Sequence, residues 1–264
     1  MSSLLHSLRL LRRAPGFTLV AVLTLGLGIG ACTAMYTVVH AVLLAPLPYP
    51  QPERLVHLWQ INAKGGQGQF SDPNYEDLRA QSRSFQGLAQ YADGRSPVVG
   101  GTSPVRARIV AVSRGMNDVL RVQPFIGRWF VPDEQRPRGA AAAIVSYAFW
   151  QQFLASDRDL SRHTLTFDGQ TYAVVGVMPR DVRFPVLDAD LWVPRELNPP
   201  LPSRTAHNWR VIGRLRDGVS VEQARSDVHA VAARLKREYG DSTWMKDAVV
   251  VPLREEIVGR SREG

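Results

Sequence analysis

Residues 17–44 form an almost unbroken apolar run that contains no Asp, Glu, Lys or Arg. Arg9, Arg12 and Arg13 precede it, and no charged residue follows until Glu53. A helix rises ~1.5 Å per residue and the hydrocarbon core of a bilayer is ~30 Å thick, so about 20 apolar residues span it. The run has length to spare. His40 lies near its end, where an ionisable side chain reaches the interface at little cost. A buried helix of a soluble domain is the competing reading, but such helices rarely stay apolar on every face for so long.

The flanks set the orientation. The arm 1–16 carries three arginines and no acid, which keeps it cytoplasmic and makes Arg9, Arg12 and Arg13 a cytoplasmic anchor. Leu4, Leu5, Leu8 and Leu11 add an apolar face suited to lying on the inner leaflet. Everything after Pro46 is then exported. A signal peptide would have an apolar core of about 7–15 residues, roughly half of this run. The Ile29-Gly30-Ala31-Cys32 stretch resembles a lipoprotein cleavage box, yet apolar sequence rather than a polar linker follows it. Gly26, Gly30 and Ala34 recur every four residues and place small side chains on one helix face, where another membrane helix can approach closely. The Gly26–Gly30 stretch is no dinucleotide loop, because neither a preceding soluble strand nor an acidic ribose partner accompanies it.

The exported part is long enough for real cores. The net charge of the chain is +8, of which the arm holds three, and the remaining positive charge is dispersed among acids. That pattern excludes a nucleic-acid surface. Cys32 is the single cysteine, so no intramolecular disulfide forms. Pro46, Pro48, Pro50 and Pro52 make a stiff spacer. Strands are predicted at 55–61, 88–91, 105–112, 142–146, 209–215 and 248–252, and helices at 71–83, 113–120 and 147–154. Residues 127–130 read as a turn. Asp168-Gly169 joins runs 163–167 and 171–177 in a tight hairpin. Ser220 and Gln223 form a capping box for a helix whose Val221, Ala224, Val228, Val231 and Leu235 line one face, with Gly240 as a left-handed cap. The alternation favours a mixed α/β sheet.

No catalytic pattern emerges. The six histidines are scattered without metal-ligand spacing, and neither a nucleophile elbow nor a phosphate-binding loop is present. The chain reads as non-enzymatic, without cofactor or metal, and energy from ATP must come from another polypeptide.

Several ordered motifs carry a family resemblance: Ser7-Leu8-Arg9-Leu10-Leu11-Arg12-Arg13-Ala14-Pro15-Gly16-Phe17-Thr18, Leu25 to Ala34, and Leu43-Leu44-Ala45-Pro46-Leu47-Pro48-Tyr49. They continue with Pro124 to Phe130, Val145 to Trp150, Tyr172 to Pro179, Trp192-Val193-Pro194 and Gly213 to Ser220. Together they resemble the N-terminal portion of MacB/FtsX-type ABC transporter permeases, nearest to the duplicated orphan permease branch. The resemblance implies an α/β (mixed α+β) MacB-like periplasmic core domain of two lobes, carried on the first transmembrane helix of a bacterial inner-membrane protein. It implies three further helices after that domain, which the sequence does not reach, so the chain reads as a permease subunit or truncated permease fragment. Its implied partners are a separate ATP-binding subunit, other permease helices or a second permease copy, a periplasmic adaptor protein and the lipid membrane. The domains expected are a cytoplasmic arm (1–16), a transmembrane helix (17–44), a spacer (45–54), the core domain (55–253) and a charged tail leading toward a second helix (254–264). The alternative is a membrane-anchored ligand- or protein-binding module without an ATPase partner.

Overall fold

The computed structural model describes residues 15–39, 48–101, 103–182, 185–186 and 188–257. It falls into two units, 1–46 and 47–264. In the first, α1 (Pro15–Val39) is a 25-residue helix without a charged side chain. The hydroxyls of Thr24 and Thr33 donate to the carbonyls of Val20 and Ile29, each at 2.8 Å. Among the described residues no helix is long and apolar enough to cross a membrane. The longest stretch of α1 with every side chain described is 22–33. Residues 40–44 of the expected span lie outside the described residues.

The second unit is built on one sheet of 11 strands. In chain order its elements are β1 (Leu55–Ile61), β2 (Gln67–Gly68), α2 (Asp72–Gln81), β3 (Phe85–Val98), β4 (Val105–Val112), α3 (Met116–Leu120), β5 (Ile126–Gly127) and β6 (Ala142–Val145). Then follow α4 (Tyr147–Phe153), β7 (Thr164–Phe167), β8 (Gln170–Val177), β9 (Leu191–Pro194), β10 (Arg210–Leu215), α5 (Val221–Tyr239) and β11 (Asp247–Pro252). The strand order is β11-β1-β10-β3-β4-β9-β6-β8-β5, with β2 on β1 and β7 on β8. Pairs β4–β9 and β6–β8 are parallel and the other named pairs antiparallel. The sheet is therefore mixed.

Local chemistry explains most boundaries. Ser71 caps α2 by accepting from the Asn74 amide, Ser146 caps α4 by accepting from Phe149, and Ser220 and Gln223 exchange both bonds of a capping box at α5. The β7–β8 hairpin turns through Asp168 and Gly169, with φ of 49° and 75°, the geometry that Asp-Gly adopts readily. On α5 the residues Ala224, Val228, Val231, Ala232 and Leu235 are buried.

Four expectations change. β3 extends far past Tyr91, because eight consecutive pairs with β4 hold its polar second half in the ladder. The expected turn at 127 begins with a strand: Ile126 and Gly127 pair with Val177 and Gly176 of β8. β9 escaped as a strand, since four buried residues whose main partner is parallel β4 have no local turn signal. Gly240 ends α5 with a positive φ of 54° but ψ of −128°, outside the left-handed helical region.

Three apolar clusters lie along this sheet. A central one gathers Leu55, Tyr91, Val112, Leu120, Trp192 and Ile212; one under α2 and α5 includes Val56, Leu58, Tyr75 and Leu235; one under α4 includes Phe149, Trp150, Leu165 and Val193. Residues 47–264 are one compact unit, so any division into lobes falls within a continuous sheet.

Gly127 is required where β5 meets β8. Its φ is +78°, and a Cβ there would lie 2.2 Å from the Val175 carbonyl oxygen. Gly127→Ala is expected to lower stability by more than ~1 kcal/mol, read as a lower urea midpoint at unchanged slope. An unchanged midpoint would contradict this account of the edge.

Candidate functional site

The most distinctive site is where the chain joins and leaves the sheet. β1 and β11 run antiparallel with Val56 opposite Pro252, so the first strand begins where the last one ends. Both flanks pack into the central cluster: Tyr49 before β1, and Leu253 and Ile257 after β11. The Trp59 indole N–H donates to the Glu256 carboxylate at 3.1 Å.

Arg214 secures the incoming flank. On β10 the side-chain alternation puts it on the face of Arg210 and Ile212, and it is fully buried. Its Nε donates to the Val119 carbonyl at 2.7 Å, and Nη1 donates to the carbonyls of Pro50 at 2.8 Å and Gln51 at 3.2 Å. Gln51 itself has a φ of +49°. Arg54 reinforces the contact, donating from Nε to the Leu215 carbonyl at 2.9 Å and pairing with Asp217. Burial pushes the Arg214 guanidinium down to about 10, and the nearby Arg121 and Arg54 push the same way. It stays charged at neutral pH, solvated by carbonyl dipoles.

A second polar network ties the segment 195–209 to α2. Arg195 and Asp72 form a buried ion pair, and the Leu201 amide donates to Asp72 at 2.9 Å. The Arg195 guanidinium also lies 4.8 Å over the Trp209 ring. Burial lowers Arg195 below the usual arginine range. Arg204 donates to Asn74 at 2.9 Å and pairs with Asp77 at 2.7 Å, while Asn74 donates to Thr243 at 3.0 Å. His207 Nδ1 lies 3.1 Å from the Gln69 carbonyl and 2.5 Å from the side-chain amide nitrogen of Gln60. Burial lowers the His207 pKa, opposed by the bond to Gln69. Most of these bonds run from side chain to side chain.

Chemistry beyond holding is not assembled by these side chains. Among the described residues no three His, Cys, Asp or Glu side chains could share a metal ion. His57 is buried with Nε2 3.0 Å from the Tyr91 hydroxyl, His163 meets Asp157 at 3.0 Å and His229 meets Asp247 at 2.8 Å. A small open pocket is lined by Ser113, Arg114, Asn117, Asp118 and Gln135 among others, without a histidine or cysteine to act as base or nucleophile.

Of the residues singled out in the sequence, Gly26 and Gly30 lie on α1, where an added Cβ would meet nothing within 4 Å. The Ala34 side chain, Arg9, Arg12, Arg13 and the leucines of the arm lie outside the described residues. Sequence reasoning missed Arg214, Asp72 and Arg195 as anchors. For Arg214 a signal existed: a charged residue at the same strand parity as the apolar Ile212 has to be buried or break the face.

A family profile described as the MacB-like periplasmic core domain matches residues 18–231. No curated protein matches the sequence. The periplasmic region of MacB from Actinobacillus actinomycetemcomitans superposes with a TM-score of 0.56 at 14% identity, covering 80% of this chain and 94% of that one. The extracellular domain of the noncanonic ABC-type transporter YknZ from Gram-positive bacteria does so with a TM-score of 0.54 at 15% identity, covering 75% and 99%. At these identities the likeness is one of fold.

Replacing Arg214 by Met keeps much of the volume and leaves the carbonyls of Val119, Pro50 and Gln51 without their donor. The expected loss is about 1–3 kcal/mol in urea unfolding, with faster proteolytic cleavage in 48–54. Wild-type stability and cleavage would show that the buried arginine does not hold this flank.

Proposed function

Because the chain belongs to the MacB-like periplasmic core domain family, we propose that it serves as a permease subunit, or a fragment of one, whose non-catalytic domain works outside the inner membrane. The observation that carries this reading is the pairing of Val56 with Pro252. A domain whose two chain connections leave side by side suits insertion between membrane segments, and movement of either connection reaches the same sheet end. In this reading the domain transmits motion and engages extracytoplasmic substrates or envelope partners, while ATP is hydrolysed on a separate ATP-binding subunit.

The membrane helix within 17–44 is part of the proposal. The described side chains alone make no span, yet the whole 25-residue sequence of α1 is free of charge. Length supports the reading, because 25 residues of helix reach about 37 Å against a core of ~30 Å. The Thr24 and Thr33 hydroxyls bonded to their own helix suit a lipid environment, where polar groups need internal partners. Arg9, Arg12 and Arg13 then anchor the cytoplasmic side. Gly26, Gly30 and Ala34 offer the packing face to other permease helices or a second permease copy. Residues 45–54 act as the spacer, 55–253 as the periplasmic core, and 254–264 lead back toward the membrane, with a periplasmic adaptor as a further partner.

The proposal is tested by labelling. In a Cys32→Ser background, a cysteine at the exposed Gly65 is expected to react with a membrane-impermeant maleimide in intact spheroplasts. A cysteine at Ser3 is expected to react only after lysis. The reverse pattern, or extraction of the chain by carbonate, would overturn the topology.

A further inference from the structure

Three separate stretches of the chain meet at the β5–β8 end of the sheet and build a row in which two aromatic rings lie between two cations. The Arg158 guanidinium lies 5.8 Å over the Phe125 ring, Phe125 meets Tyr147 edge to face at 5.5 Å, and the Arg180 guanidinium lies 5.1 Å over Tyr147. Trp150 backs the row, 6.0 Å from Phe125 and 5.3 Å from Tyr147.

The row is built rather than incidental. The Phe125 amide donates to the Val177 carbonyl at 2.7 Å, and the Trp150 indole donates to the Asp157 carbonyl at 2.7 Å, which holds the loop that carries Arg158. Phe125 nevertheless remains 48% exposed, an unusual position for a phenylalanine held in place on both sides.

The two carboxylates that flank Arg158 in the chain are already engaged, Asp157 with His163 at 3.0 Å and Asp159 with Arg162 at 2.9 Å. Among the described residues, Arg158 and Arg180 have no carboxylate within ion-pair distance, and Asp181 follows Arg180 without pairing with it. Stacking on a ring leaves the in-plane N–H donors of a guanidinium open, and those donors match carboxylates.

We propose that this row docks a segment of another extracytoplasmic protein in which two carboxylates flank an apolar side chain. The carboxylates meet Arg158 and Arg180, and the apolar group covers the exposed edge of Phe125 and Tyr147. This rests on the reading above only for the compartment in which the partner is found, and maleimide labelling at Gly65 reports on that reading separately.

The test uses the full chain in its native membrane, with a photoreactive phenylalanine analogue at Ala148, which is exposed beside Tyr147. Irradiation is expected to give an adduct to a second protein, mapped by mass spectrometry to a peptide bearing at least two carboxylates. The yield is expected to drop about tenfold in Arg158→Glu/Arg180→Glu, to persist in Arg158→Lys/Arg180→Lys, and to return when the mapped carboxylates are changed to Lys. If the charge-reversed variant fails to fold, the wild-type yield decides instead, and it is expected to fall steeply between about 50 and 500 mM NaCl. Adducts only to lipid or to a second copy of this chain, no adduct, or a yield indifferent to charge reversal and salt would each overturn the proposal.

Discussion

The pairing of β1 with both β10 and β11 is the constraint on which the rest of the second unit depends. β1 contributes to two cores at once, with Leu55 in the central cluster and Val56 and Leu58 in the cluster under α2 and α5. Flanked by β10 on one side and β11 on the other, it joins the start of the domain to its end. Shifting β1 by one residue would turn Val56 and Leu58 out of their core, so the register is held by burial as well as by hydrogen bonds. The same register brings the flanks 48–54 and 253–257 into one cluster.

Charge inside this protein serves attachment. Arg214 and the Asp72–Arg195 pair sit at positions that could otherwise be apolar, and each is bonded to backbone of a segment lacking regular structure. A buried ion pair is weak evidence of stability, since its desolvation offsets much of the Coulomb attraction. What such groups supply is direction: a guanidinium with several donors fixes the path of Pro50 and Gln51 in a way that an apolar contact does not. That fixity is placed where the chain enters the sheet and where the segment 195–209 returns to it.

Elements specified by neighbours in sequence were legible from it. The Asp168-Gly169 hairpin, the Ser220–Gln223 capping box and the Ser71 cap depend on residues within a few positions, and each forms as read. Elements specified by distant partners were not. The second half of β3 carries Asp93, Gly94, Arg95 and Ser96, which read as loop until β4 pairs with them, and β9 needs parallel β4, some 80 residues earlier, to become a strand. The row of Arg158, Phe125, Tyr147 and Arg180 is another product of such contacts. Its residues lay partly within motifs noticed in the sequence, but nothing local announced that they would meet.

The convergence of the two connections is tested most directly by a disulfide. Trp59 and Val249 are Cα partners across β1 and β11, and Cα separations across antiparallel partners of about 4.5–5.5 Å fall within the range a disulfide accepts. In the full chain with Cys32→Ser, the pair Trp59→Cys/Val249→Cys is expected to oxidise readily, while Trp59→Cys with Val251→Cys, offset by two residues, stays reduced. Efficient closure of the offset pair, or closure of neither, would contradict the register that brings the two ends of this domain together.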